Sequence, residues 1–128
     1  METDKNPVLF LTGVLLLLIQ DISFLLTVFL NPGIPPRDMS IHSEAYINKL
    51  IRSHLYCNIC KVVYREGQEQ TEHCPDCGFC IEGLDHHCPW SSKCIGSGNM
   101  TAFKFFLGST VILMIYLFTG GMLVVAAS

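Results

Sequence analysis

Chemistry in this chain is concentrated between Cys57 and Cys94. Cys57-x-x-Cys60 is followed by His73-Cys74-x-x-Cys77-x-x-Cys80, then by Asp85-His86-His87-Cys88-Pro89-Trp90, and last by Cys94. Six cysteines other than Cys88, together with His73 and His87, supply eight soft or borderline donors at metal-ligand spacing. Two tetrahedral zinc ions need that many when every position is closed. Of the 7 cysteines, one is then left over. Disulfides are the competing use of cysteine. They fit poorly with an odd count, with interleaved histidines and with three cysteines recurring at three-residue steps.

A closed Cys/His zinc site holds a fold and performs no hydrolysis, so the spare thiol has to be judged by its surroundings. Asp85, His86 and His87 precede Cys88. A nucleophilic cysteine reacts as its thiolate; a histidine can take the proton and a carboxylate can fix the imidazole tautomer. Neighbours along a chain do not normally face one another. A sharply turned, zinc-pinned loop is therefore expected to gather Asp85, His86 and Cys88 while His87 turns to metal. Spacing alone leaves open that Cys88 is itself a ligand and another cysteine is free.

The elements that must hold this cluster follow from composition. The chain has 128 residues and a formal net charge of −3, and half of its residues are hydrophobic. The mean hydropathy is positive. The apolar residues sit at the two ends, so the middle is expected to be stabilised by metal in place of a large core. No basic block is present, which argues against nucleic acid as a partner.

Val8–Leu30 is apolar over 23 residues, enough to span a bilayer, and is interrupted by Gln20 and Asp21. Asp21 is expected to turn toward a neighbouring helix or the interface, or else to line a functional cavity. A cleaved signal peptide is disfavoured by the weakly acidic start and the lack of a small-x-small site. Asn31-Pro32-Gly33-Ile34-Pro35-Pro36 ends the helix. Residues 31–56 read as a linker with a short amphipathic helix carrying Ile47, Leu50, Ile51 and Leu55, capped by Asp38 or Ser40 and lying on the membrane surface or on the metal module. His42 and His54 fall on its solvated face. Residues 57–99 are expected to form short hairpins and turns, and Cys94-Ile95-Gly96-Ser97-Gly98-Asn99 a glycine-rich loop. A second apolar stretch, Phe105–Ala127, or 103–127 with its entrance, carries Lys104 where a long basic side chain can reach headgroups. Six Lys or Arg residues lie in 31–102 against one in the N-terminal tail, so the loop is expected on the cytosolic side, where thiols stay reduced. The fold class expected is a mainly α membrane protein, two transmembrane helices flanking a small zinc-pinned cysteine-rich cytosolic module.

This order of elements resembles the DHHC family of protein S-acyltransferases, the palmitoyltransferases. The resemblance runs from Asn31-Pro32-Gly33, similar to the family's Asp-Pro-Gly, through the Cys/His ladder and the Asp85–Trp90 signature to Cys94 and Asn99-x-x-x-Phe103. It implies one structural zinc on Cys57, Cys60, His73 and Cys80 and another on Cys74, Cys77, His87 and Cys94. It implies that Cys88 attacks a long-chain acyl-CoA such as palmitoyl-CoA, with His86 as general base and Asp85 orienting it. The acyl group would then pass to a cysteine of a membrane-associated protein, by ping-pong transfer through an acyl-enzyme. Such a protein is integral and multi-pass in an endomembrane, the ER or Golgi.

Family members usually carry four membrane helices. This chain supplies two, the second and third by position, so it is expected to be truncated. The stretch before His73 is acidic (Glu66, Glu69, Glu72) where the family is usually basic, leaving Lys61, Arg65 and Lys93 to attract CoA phosphates. Ser91-Ser92-Lys93 replaces the common Val-Asn-Asn. The alternative to the enzyme is a catalytically inactive zinc-binding membrane adaptor, or a partial chain of such an enzyme. A RING-type ligase needs a later Cys-Pro-x-Cys pair, which nothing after Cys94 provides.

Overall fold

The computed structural model describes residues 7–36, 43–53, 55–64 and 70–126. It divides into two units: a helical pair formed by the two ends of the chain, and the segment Leu30–Met100 between them.

The helical pair consists of α1 (Pro7–Phe29) and α3 (Met100–Ala126). Proline at the first position of α1 suits a helix start, where its missing N–H would be unpaired in any case. At 1.5 Å per residue the 23-residue α1 is about 34 Å long and the 27-residue α3 about 40 Å. Both are long and apolar enough to cross a membrane. Most of their leucines, isoleucines and phenylalanines are exposed, whereas the buried positions among the described residues are small: Ser23, Thr27, Ala102 and Ser109. The Gln20 amide bridges the helices, donating to Thr110 Oγ1 at 2.8 Å and accepting from Ser109 Oγ at 2.6 Å. Ser23 and Ser109 hydroxyls meet at 3.2 Å, Phe24 packs on Phe106 with ring centroids 5.3 Å apart, and Tyr116 Oη bonds the Leu9 carbonyl. Of the two polar residues interrupting α1, Gln20 faces α3 and Asp21 is exposed. Lys104 lies inside α3, because the helix begins at Met100, ahead of the apolar run. The start is set by Asn99 and Met100, whose N–H groups bond the Gly96 carbonyl at 3.2 and 2.9 Å.

The middle unit holds α2 (Glu44–Arg52) and six short strands: β1 (Tyr56–Cys57), β2 (Val62–Val63), β3 (Thr71–Cys74), β4 (Phe79–Glu82), β5 (His86–Cys88) and β6 (Lys93–Ile95). Ser43 caps α2, its hydroxyl accepting from the Tyr46 N–H at 3.3 Å. The expected caps Asp38 and Ser40 and the linker histidines His42 and His54 lie outside the described residues. The helix stops at Arg52, so Leu55 is not its last apolar rung. Instead Leu55 joins α2 to the sheet: its N–H bonds Leu50 O at 2.9 Å and its carbonyl accepts from Tyr64 N–H at 2.7 Å. This packs α2 against β1.

The strands pair as three separate antiparallel hairpins, β1–β2, β3–β4 and β5–β6. The stretch 56–95 is therefore built of strands and turns, and the three helices precede or follow it in the chain. The apolar core is small, made of Cys74, Ile81 and Cys94 with Cys77 and Leu84 against them. A core of that size does not balance the conformational entropy of some seventy residues.

The proline-glycine segment after α1 straps this unit together. Asn31 Oδ1 accepts the N–H groups of Gly33 and Ile34 at 3.0 and 2.9 Å. Pro32 O then takes the Gly98 N–H at 3.2 Å, and Gly33 O the Glu82 N–H at 2.8 Å.

Candidate functional site

Each hairpin presents its cysteines through the same turn. Cys57 pairs with Val62, Cys74 with Phe79 and Cys88 with Lys93, each across four intervening residues. The fourth turn residue has positive φ in all three: Lys61 at 56°, Gly78 at 72° and Ser92 at 50°. Such a turn lets backbone N–H groups point back at the first cysteine's sulfur. Cys60 N–H lies 3.4 Å from Cys57 Sγ, and corresponding bonds reach Cys74 from Asp76 and Cys77.

Two groups of four donors result. Cys57, Cys60, His73 and Cys80 form one, Cys74, Cys77, His87 and Cys94 the other, with all donor atoms in each within 4.8 Å of one another. In the first, His73 Nδ1 lies 3.7, 3.2 and 3.9 Å from the sulfurs of Cys57, Cys60 and Cys80. In the second, His87 Nδ1 lies 3.8, 3.3 and 3.8 Å from those of Cys74, Cys77 and Cys94. A tetrahedral zinc at about 2.3 Å from sulfur and about 2.0 Å from nitrogen sets S···N near 3.5 Å. The donor sets therefore fit a metal ion. Burial and the neighbouring thiols push Cys94 up, and burial outweighs the Tyr64 bond to push Cys80 up. A dication supplies the positive charge that lets these sulfurs ionise.

Strand alternation distributes the donors. His73 faces Cys80 and His87 faces Cys94 across their hairpins, so each histidine joins the cysteine opposite it. In β3, His73 and the next residue, Cys74, serve different clusters. In β5, His87 serves the second cluster, and its neighbours His86 and Cys88 occupy the other face. Where a sharp loop was expected at Asp85–Cys88, His86–Cys88 form a strand with Asp85 just before it, and alternation does what the turn was expected to do.

On that other face His86 Nδ1 and Asp85 Oδ2 are 2.7 Å apart. The imidazole also hydrogen-bonds Cys88, which is only 5 % exposed. The Asp85 bond raises the His86 pKa; burial opposes it, and Cys88 adds to the rise. Burial alone would push the Cys88 thiol up. Bonds from the Ser91 hydroxyl and N–H, from His86 and from the Trp90 N–H outweigh it and hold the thiol below its usual range. Cys88 belongs to neither donor group. Lys61 and Lys93 lie in or beside the turns; Arg65, Glu66 and Glu69 are outside the described residues.

Three residues support the site in roles the sequence did not assign them, although Asn31 and Asn99 stand in motifs named above. Asn99, 1 % exposed, accepts the Gly96 N–H at 2.9 Å and donates to the Cys94 carbonyl at 3.0 Å, fixing the strand end that carries Cys94. Tyr64 Oη sits 3.5 Å from Cys80 Sγ, beside a ligand of the first group, with its phenol pushed up by burial and by Cys80. Asn31 makes the strap described above. An asparagine closing Gly-x-Gly was a usable signal for Asn99; nothing local marks Tyr64.

The sequence model of the DHHC palmitoyltransferase family matches residues 50–127. The chain is 36 % identical over 108 residues to palmitoyltransferase ZDHHC8 of Drosophila melanogaster, covering 76 % of this chain and 11 % of that protein. It is 40 % identical over 75 residues to probable protein S-acyltransferase 7 of Arabidopsis thaliana, covering 59 % and 16 %. To palmitoyltransferase ZDHHC9 of Homo sapiens it is 30 % identical over a 151-residue alignment, covering 98 % and 41 %. The chain thus spans well under half the length of these relatives. With a family match over most of its length, two Cys/His clusters able to hold metal ions, and the run Asp85-His86-His87-Cys88 whose cysteine stands outside both clusters, the chain belongs to the DHHC palmitoyltransferase family.

Proposed function

We propose that this chain carries the reaction centre of a protein S-palmitoyltransferase, with Cys88 as nucleophile, His86 as general base and Asp85 orienting the imidazole. The observation that carries the reading is the separation on β5: His87 belongs to a metal cluster, while Cys88 stands outside both clusters and shares a face with His86.

The Cys88 sulfur attacks the thioester carbonyl of palmitoyl-CoA or another long-chain acyl-CoA, with His86 accepting the thiol proton. The carbon–sulfur bond to CoA breaks, the proton returns to the departing CoA sulfur, and the fatty acyl group remains on Cys88. A cysteine thiol of a membrane-associated protein then attacks the same carbonyl and leaves Cys88 free. The eight Cys and His donors hold two structural zinc ions, which keep the hairpins folded and take no part in the transfer. The spans 8–30 and 103–127 lie in the bilayer of an endomembrane, ER or Golgi. The 31–56 linker and the 57–99 module are on the cytosolic side, so Cys88 works near the surface in which the acyl tail is dissolved.

The test is incubation of purified chain in detergent or lipid with labelled palmitoyl-CoA. Wild type is expected to acquire a hydroxylamine-sensitive label. Cys88→Ser is expected to lose the label and keep its zinc. Label persisting on that variant rules out the site, and a zinc-loaded, unlabelled wild type favours the adaptor.

A further inference from the structure

The turn joining β5 to β6 repeats the two metal-binding turns in register and in backbone conformation. Cys57, Cys74 and Cys88 occupy its first position and Lys61, Gly78 and Ser92 its left-handed last one. The sulfurs receive N–H bonds from the same two places: Ile59 and Cys60, Asp76 and Cys77, Trp90 and Ser91. The second cysteine of the metal turns, Cys60 or Cys77, corresponds to Ser91.

We infer that this turn has the backbone of a metal knuckle with a hydroxyl where the two metal turns carry their second thiol, and that Ser91 Oγ hydrogen-bonds the Cys88 sulfur as it attacks, making Ser91 a further catalytic residue. The inference rests on the acyl-transfer reading above. A serine hydroxyl is not among the donors of closed zinc sites, so this turn lacks the partner with which Cys88 would chelate an ion. It has an O–H donor in that partner's place.

The hydroxyl also explains the one way the third turn differs. In the metal turns the first cysteine's carbonyl takes the N–H of the last residue, Lys61 or Gly78, at 2.9 Å. In the third, Ser92 N–H bonds Pro89 O at 3.4 Å, and the Cys88 carbonyl is reached by Ser91 Oγ at 3.4 Å. The hydroxyl is thus held between the carbonyl and the sulfur of Cys88, and can donate to the sulfur when negative charge gathers there.

The experiment uses the zinc-loaded full chain. At saturating palmitoyl-CoA, Ser91→Ala is expected to slow the single-turnover rate of acyl uptake roughly 10- to 150-fold, the range of one hydrogen bond to a charged group. KM stays unchanged, and Ser91→Thr, which keeps a hydroxyl, retains most of the rate. An alanine variant as fast as wild type, or a threonine variant as slow as the alanine one, overturns the catalytic role. Separately, Ser91→Cys treated with diamide, which takes the two thiol hydrogens, is expected to form a 88–91 disulfide visible by peptide mapping with both zinc ions retained. Failure to form it overturns the knuckle equivalence. If wild type takes up no acyl group, the acyl-transfer reading and the catalytic role fall together, and the disulfide still decides the geometry.

Discussion

His87 and Cys94 face each other across β5–β6 and send their donor atoms, 3.8 Å apart, into the same cluster. Because side chains alternate along a strand, this pairing also determines what surrounds it. His86 and Cys88, one residue either way, are turned out of the metal site together. Sliding β5 by one residue would exchange the roles, making His86 and Cys88 the metal donors. The cluster member His87 and the proposed nucleophile Cys88 are thus kept apart by register.

The zinc-loaded chain is therefore expected to hold two ions, and Cys94→Ser to lose the hairpins along with the second ion. Cys94 is fully buried and the apolar core around it is small, so metal binding supplies most of the folding free energy there, of the order of 10 kcal/mol in small zinc modules. Emission spectroscopy for zinc and circular dichroism before and after chelator make the check. One ion per chain, or a module that keeps its structure in chelator, contradicts it.

Cys88 is expected to be alkylated by iodoacetamide with a midpoint at lower pH than an ordinary thiol, since the net effect of its partners is to favour the thiolate. His86 contributes one of the bonds that lower it, so His86→Ala should move the midpoint up in pH. Asp85→Asn removes the largest influence raising the His86 pKa, and His86 then titrates lower. In acyl uptake the loss of a general base is worth about 10²- to 10⁴-fold. Alkylation profiles of wild type and His86→Ala that coincide would contradict the His86–Cys88 contact.

The metal half of this arrangement was readable from the chain because ligand spacing is a local signal: Cys-x-x-Cys needs one turn, and two such pairs with Cys80, Cys94 and two histidines make up the eight donors. The reason Cys88 stands apart was not readable. It lies in the pairing of His87 with Cys94, a cross-strand relationship that a linear pattern does not carry, and a loop was expected where a strand occurs. The hydrophobic ends were plain, but their boundaries were not. Met100 starts α3 because the Gly96 carbonyl accepts its N–H, a bond no hydropathy window registers. Ser43 took the cap expected of Asp38 or Ser40 for a similar reason, since several polar residues precede α2 and only geometry selects one.

The pairing of α1 with α3 is expected to depend on Gln20 and not on Asp21. Gln20 bonds Ser109 and Thr110, whereas Asp21 is exposed. Interhelical hydrogen bonds between membrane helices average about 0.6 kcal/mol and reach about 1.7 kcal/mol. Gln20→Leu should lower the SDS concentration at which the pair separates, read by energy transfer between labels on the two helices. Asp21→Leu should not lower it; the opposite order would contradict the assignment.

Gly98→Ala is expected to loosen the middle unit without touching any metal donor. Gly98 sits where the glycine-rich loop crosses the Asn31–Gly33 strap, its N–H bonded to Pro32 O at 3.2 Å. A methyl group there would meet Gly33 N at 3.0 Å and Pro32 C at 3.2 Å, with the Asn31 carbonyl closer still. All three are backbone atoms, so no rotamer change makes room. The strap must move, and with it the bond from Glu82 N–H to Gly33 O that ties β4 to the strap. Overpacking of this kind costs about 1–3 kcal/mol, and in a unit of this size each kcal/mol lowers the thermal midpoint by about 4–8 °C. Gly78→Ala is the comparison. Nothing lies within 4 Å of its added carbon, and its positive φ is one that Lys61 and Ser92 already adopt in the sister turns. Thermal unfolding of the zinc-loaded proteins should rank wild type above Gly78→Ala and Gly78→Ala above Gly98→Ala. A Gly98→Ala protein that melts with wild type would mean that the strap does not cross the loop at this distance.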